Sequence, residues 1–347
     1  MATQTPQLLT IDPSNPQPPT RHRHHDDIAE KTLPEAKATK AHPRNPGAEN
    51  ASVYFVGNAT TIIQWHGIRI MTDPNFLHAG DHVHLGPGVT STRRKDPAVD
   101  LEDLPRVDLV LLSHYHEDHF DRHVEDSLRR DLPIITTSHA HKILTSKGDG
   151  ESFTRVAAVD AYEQAMVDIR SDNASKQPRL RITGMPGKHI PMGKPLEKLN
   201  DLVGAIPPTN GWMLELGYGS QGHMTADFKP GYRIYISGDT LMFDELKDIP
   251  RRYEGQTIDL MLVHLGGTTV PSPALGPLAM MVTMDAKQGV ELMRLIRPQI
   301  TIPIHFDDYD VMASPLEDFQ ALVKEAGFEG EVVYLDRGDE YRFHVSG

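Results

Sequence analysis

The chain has 347 residues, 38% of them hydrophobic, a formal charge of −13 and no cysteine. That length accommodates one large domain or two ordinary ones. The missing thiols exclude disulfides, thiolate nucleophiles and cysteine-bound zinc, so any metal must be held by nitrogen and oxygen. The acidic balance argues against the basic footprint that nucleic-acid backbones require. No apolar run reaches the about 18 residues of a membrane span, and Met1 to Thr20 lacks a signal-peptide pattern, so a cytoplasmic protein without an integral membrane segment is expected.

Residues 1–48 are rich in proline and charge, and read as an extended or disordered arm ahead of a single domain, 49–347. Order begins near Ser52. Short β-rich runs at Val53–Phe55, Thr61–Trp65 and Ile68–Met71, separated by Gly57-Asn58 and His66-Gly67, predict successive hairpin strands. Thr72-Asp73-Pro74 ends a strand on a carboxylate. Residues 76–97 then form a long loop, of a length that tends to be functional. It carries His82 and His84, which can line a pocket or face solvent, and Arg93-Arg94-Lys95, a spot able to serve one phosphate or simply be solvated.

Val107–Leu112 is a continuous apolar run of the buried-strand kind. It exits into His114-Tyr115-His116-Glu117-Asp118-His119, where three imidazoles and a carboxylate at a strand mouth have the makings of a metal site. A helix over Asp121–Arg130, a strand over Pro133–Thr137 and a helix capped by Ser138 and running to Lys147 give a βαβ rhythm. A second β block includes Met166–Ile169 and Arg179–Ile182 and delivers His189 among glycines and prolines. Residues 192–210 are irregular.

Gly211–Leu216 and Tyr232–Ile236 read as paired strands, the second running into Ser237-Gly238-Asp239-Thr240. After a helix over Leu241–Arg251, the buried run Ile258–Val263 ends at His264, which is either packed or turned toward the site. Residues 268–282 form an apolar loop suited to a hydrophobic wall or to filling the core edge. A helix over Asp285–Ile296 precedes the strand Ile300–Ile304, which exits at His305. A helix over Pro315–Ala326 and strands near Val332–Leu335 and Tyr341–Val345 close the chain.

Four strand exits thus carry metal-ligating residues, and together they resemble the metallo-β-lactamase superfamily. Its HxHxDH motif stands as His114 to His119, followed in order by His189, Asp239 and His305. Gly57-Asn58-Ala59-Thr60, Thr72-Asp73-Pro74, Leu104-Pro105 and Met284-Asp285 are similar to the branch containing N-acylphosphatidylethanolamine phospholipase D and L-ascorbate-6-phosphate lactonase. The resemblance covers about residues 50–347. It implies an α/β fold, a four-layer αββα sandwich with the metal site at the edge of the two sheets. His114, His116 and His189 would hold one divalent ion and Asp118, His119 and His305 a second, with Asp239 between them. Asp73 would support the histidine loop from behind, and Tyr115, His264, His82 and His84 are candidates for the surrounding or substrate-contacting set.

The expected chemistry is hydrolysis by a metal-bound hydroxide, with Asp118 or Asp239 placed to take a proton. Zinc suits the imidazoles, manganese or iron suits the same nitrogen and oxygen set, and occupancy by one ion or two stays open. A phosphodiester, lactone or other ester, in a small-molecule or lipid-like substrate with an apolar part, is the expected target, with Lys188 or Arg93 as candidate cations for a phosphate. The competing classes are a non-hydrolytic metal-binding module on the same scaffold and a nuclease, the latter disfavoured by the charge. A homo-oligomer stays open, and loops 76–97, 192–210 and 265–283 should decide the substrate.

Overall fold

The computed structural model describes residues 6–21, 31–44, 46–86, 89–171, 176–190, 206–220, 227–270 and 280–347. Two mixed sheets of seven and eight strands face one another. In the strand Ala51–Gly57, Val53 and Phe55 point into the core between the sheets while Tyr54 and Val56 point to the outer layer. Both faces of the strand are covered because side chains alternate across it. The opposite sheet repeats the pattern, with Leu214 and Leu216 inward and Met213 outward. Helices Arg122–Ser127 and Ser138–Thr145 cover one outer face through Val124, Ala140 and Leu144. Helices Asp248–Arg252, Ala286–Ile296 and Leu316–Ala326 cover the other through Ile249, Val290, Met293 and Phe319. The result is the expected αββα sandwich.

The topology gathers the strand exits. Gln177–Pro186 and Lys229–Ile236 both run antiparallel to Asn210–Gly219 and so point the same way. Leu260–His264 and Ile300–Ile304 then follow Lys229–Ile236 in parallel. Their carboxyl ends, which lead to His189, Asp239, His264 and His305, therefore share one rim. In the other sheet Ile68–Thr72, Leu109–Leu111 and Ile134–Thr136 are mutually parallel and deliver Asp73 and the histidine cluster. Asn210 N donates to Ser113 O at 3.0 Å, which ties the two sheets together at that rim.

Several local expectations need correction. The 76–97 segment holds a hairpin, His82–Gly86 against Val89–Thr92, because Val83 and Leu85 have a small core of their own with Tyr309 and Val311. Thr137, not Ser138, caps the following helix: its side chain accepts from Ala140 N, while Ser138 Oγ donates to Asp160 at 2.6 Å. Leu241–Arg251 is split into a 3-10 turn, Asp244–Lys247, and the short helix Asp248–Arg252. Val332–Leu335 is no strand and makes only a bridge from Val332 to Thr301. The arm supplies an edge strand to each sheet, Gln7–Ile11 beside Gln164–Ile169 and Thr39–Ala41 beside Glu340–Phe343. No described helix is long and apolar enough to cross a membrane.

Candidate metal centre

The ligand-bearing loops bring donor atoms together in two adjoining groups. Ligand atoms of His114, His116 and His189 lie within 4.8 Å of one another, and so do those of Asp118, His119, Asp239 and His305. His114, His119 and His305 are fully buried, His189, Asp118 and Asp239 nearly so. Local backbone makes this convergence available. Gly238, at φ 61, turns the chain sharply before Asp239, and a Cβ there would stand 2.2 Å from Asn210 O. Only glycine fits that approach.

Backbone carbonyls fix which nitrogen His189 and His305 present, and side-chain partners orient His114 and His119. The Val282 carbonyl, 3.1 Å from His189 Nδ1, can only accept, so that nitrogen carries the proton and Nε2 offers its lone pair inward. His114 Nδ1 faces Ser113 Oγ at 2.9 Å, and the two Nε2 atoms meet at 3.1 Å. His305 Nδ1 likewise faces the Leu265 carbonyl at 3.3 Å. His119 Nδ1 lies 3.3 Å from Asp73 Oδ2, whose other oxygen accepts from Ser113 N at 2.6 Å. Asp73 thus lies behind the site between Ser113 N and His119, where its ligand atom also groups with those of His119 and His264. Thr283 Oγ1 donates to Asp239 Oδ2 at 3.1 Å.

What remains unpartnered points to a cation. His119 Nε2, His305 Nε2, Asp118 Oδ1 and Asp239 Oδ1 are buried atoms without a hydrogen bond of good geometry, His119 Nε2 lying 3.2 Å from Asp239 Oδ2. Buried polar atoms are ordinarily satisfied, and two buried carboxylates require positive charge beside them. The donor set of imidazole and carboxylate suits a divalent transition ion, and these residues fit the metal that their spacing implies. Electrostatics divide the two groups. Burial, reinforced by neighbouring imidazoles, holds His114 well below the usual histidine range, and burial brings His116 down to about 4 although Asp118 opposes it. For His119 burial acts downward too, but Asp239 and Asp118 outweigh it and raise the ring well above its usual value. Burial would raise Asp118, yet His119 and His305 pull it down to about 2. One group is a neutral nitrogen site and the other a carboxylate-rich one.

The remaining candidates fall elsewhere. His264 is buried behind His119, stacked on it at 14°, with Nε2 3.8 Å from Asp73 Oδ2 and Nδ1 3.3 Å from Ser237 Oγ. It faces the supporting carboxylate rather than a substrate. Tyr115 turns to the outer layer, where its hydroxyl meets Glu125 and Lys147, each at 2.9 Å. His82 and His84 are exposed on the hairpin, His84 Nδ1 lying 3.2 Å from Glu117 Oε2. Arg93 is no pocket cation: it is fully buried and paired with Asp308 at 3.0 Å. Of the three loops expected to select the substrate, most of 192–210 and residues 271–279 lie outside the described residues. Sequence reading quoted Asn58 and Ser237 only as members of motifs and passed over Ser113 and Thr283; the contacts of Asn58, Ser237 and Thr283 depend on partners far along the chain.

Two facing sheets with a histidine and aspartate centre at one rim define a metallo-β-lactamase-type protein. Residues 68–306 match the family described as beta-lactamase superfamily domain, and the chain belongs to that superfamily. Among curated relatives, a UPF0173 metal-dependent hydrolase of Archaeoglobus fulgidus is 24% identical over 239 residues, 69% of this chain and 83% of its own. One from Cupriavidus taiwanensis is 24% identical over 305 residues, 86% of this chain and 90% of its own. The fold is shared with isothiocyanate hydrolase from Delia radicum gut bacteria, at a TM-score of 0.63 and 17% identity over 85% of this chain and 100% of that one. It is also shared with a metallo hydrolase from Ignicoccus hospitalis, at 0.55 and 21% over 85% and 99%.

Proposed function

We propose that this protein is a metal-dependent hydrolase cleaving a phosphodiester, lactone or other ester, with two divalent ions, zinc foremost, held by His114, His116, His189, Asp118, His119, Asp239 and His305. One observation carries the reading: ligand atoms of imidazoles and carboxylates converge in two adjoining groups at one rim, and in the carboxylate-rich group several of those buried atoms have no hydrogen-bond partner. The curated relatives, named as metal-dependent hydrolases, support the reaction class. Divalent ions held by these residues would supply a Lewis acid for the substrate oxygen and would lower the pKa of a bound water to about 7.

The chain's own residues do the rest. The Val282 and Leu265 carbonyls fix the tautomers of His189 and His305, and Ser113 Oγ orients the His114 ring. Asp73 holds His119 in line. Asp118, whose Oδ1 is free of hydrogen bonds, is placed to receive a proton at that oxygen. An apolar part of the substrate would lie along Met280 and Met281, both partly exposed and next to Val282, which bonds His189. Metal analysis combined with turnover of bis(p-nitrophenyl) phosphate and a lactone panel tests the proposal. Turnover that is lost in His116→Ala is expected. No turnover with zinc, manganese or iron, or an unaffected variant, overturns it, and a metal-binding but inert protein would be a non-hydrolytic module.

A further inference from the structure

Asn58 follows Gly57 in what the sequence presents as an ordinary hairpin turn, yet it is fully buried and holds a left-handed backbone at φ 53. Three of its groups are used, on two distant segments. Its Nδ2 donates to Asp118 O at 2.6 Å, its N donates to Asp308 Oδ2 at 2.9 Å, and its O accepts from His305 N at 3.0 Å. Asp118 and His305 come from opposite sheets and belong to the same group of candidate ligands. His305 is itself left-handed at φ 59, so one bond joins two residues in a backbone conformation that side chains ordinarily disfavour. Such conformations persist where the surroundings over-determine them. Here the surroundings are Asp308, buried and paired with Arg93 at 3.0 Å and Arg337 at 2.7 Å.

We propose that Asn58 is a positioning residue that locks the Asp118 loop to the His305 loop and so sets the affinity of the carboxylate-rich group for its ion. The proposal rests on the two-ion reading above. Residue choice follows from the geometry: of the residues that tolerate this backbone, glycine has no donor, and aspartate would turn a carboxylate oxygen on the Asp118 carbonyl. Asparagine combines the left-handed turn with a short side-chain N–H at the required place. The second ion would thus be governed by a residue about 60 positions before one of its ligands and about 250 before another.

Asn58→Gly separates this role from that of a turn. Glycine is at ease at φ 53, so a residue serving only the hairpin would leave metal binding and the thermal midpoint unchanged. The metal-free wild type and variant are titrated with Co(II), followed by calorimetry and the visible ligand-field bands, with His305→Ala marking which equivalent belongs to the carboxylate-rich group. The variant should keep the equivalent at His114, His116 and His189 and bind the other about 10–100-fold more weakly. Wild-type affinity for both overturns the proposal. Should Asn58→Gly fail to fold, Asn58→Asp, which keeps the turn but has no N–H for Asp118, carries the same comparison. If the wild type takes up one ion only, the two-ion reading fails and the lock is read by hydrogen exchange. The His305 amide must then exchange faster in the variant than in wild type while that of Ile302 does not, and equal exchange at His305 overturns the proposal.

Discussion

His189 Nε2 lies 3.1 Å from His114 Nε2, across the gap between the two sheets. His189 spends its only proton on the Val282 carbonyl, so the contact presents a lone pair to the neighbouring ring. That spacing suits two ligands of one small cation. His189→Ala should therefore remove about one ion per chain and lower kcat/KM by at least about 100-fold, roughly 3 kcal/mol of transition-state stabilisation. Elemental analysis of the purified variant alongside its kinetics checks this; full metal content with near-normal turnover would contradict it.

Asp73 touches no substrate in this arrangement but holds His119 Nδ1 at 3.3 Å. Asp73→Asn leaves the shape intact and replaces the anionic acceptor. Metal affinity of the carboxylate-rich group should fall about 10–100-fold. Competition with a chelator measures the change, and an unaltered dissociation constant would show that the contact is incidental.

Arg93 sits at full burial between Asp308, Asn75 and the Lys95 carbonyl. Arg93→Leu strands part of the Asp308 charge, which Arg337 only partly compensates. The expected loss is about 3 kcal/mol of stability, seen in urea unfolding. In the fraction that folds, KM for a phosphorylated substrate should be unchanged; a large rise in KM with normal stability would return Arg93 to the pocket.

Asp259 offers a pH test away from the metals. Burial raises its carboxyl to about 6, against the hydrogen bond from Arg233 N at 2.7 Å, which lowers it. Between the unfolded value of 3.8 and the folded value, the native state binds more protons, so this group's contribution to stability grows as pH falls through 6 and is lost above it. Asp259→Asn removes that dependence. The variant should be the more stable protein at pH 7.5, by on the order of 1–3 kcal/mol, and the advantage should shrink toward pH 5. A constant difference across that range, measured by chemical denaturation, would refute the assignment.

The sequence by itself determined most of the core elements and the metal-ligating residue types at the strand exits. Apolar runs such as Leu109–Leu111 and Ile300–Ile304 are buried on both faces, and their composition alone marks them as interior strands. The histidine cluster and the strand exits at His189, Asp239 and His305 are legible because ligand-type residues stand just beyond those runs, where a strand must turn. Helix Ala286–Ile296 is readable to within one residue because Asp285 caps it and its apolar positions recur at helical spacing.

Only the tertiary structure decided which polar residues face the site and which support it. Arg93 and His82 sit about ten residues apart on one hairpin, one fully buried and the other exposed, because Asp308 arrives beside the first from the far end of the chain. His264 and His305 end neighbouring parallel strands, yet His264 turns to Asp73 while His305, at φ 59 and bonded through its N to Asn58 O, turns inward. Local patterning carries periodicity and turn chemistry. The facing of a side chain at a strand's end depends instead on backbone angles and partners set by packing one sheet against the other, and those partners lie tens to hundreds of residues away.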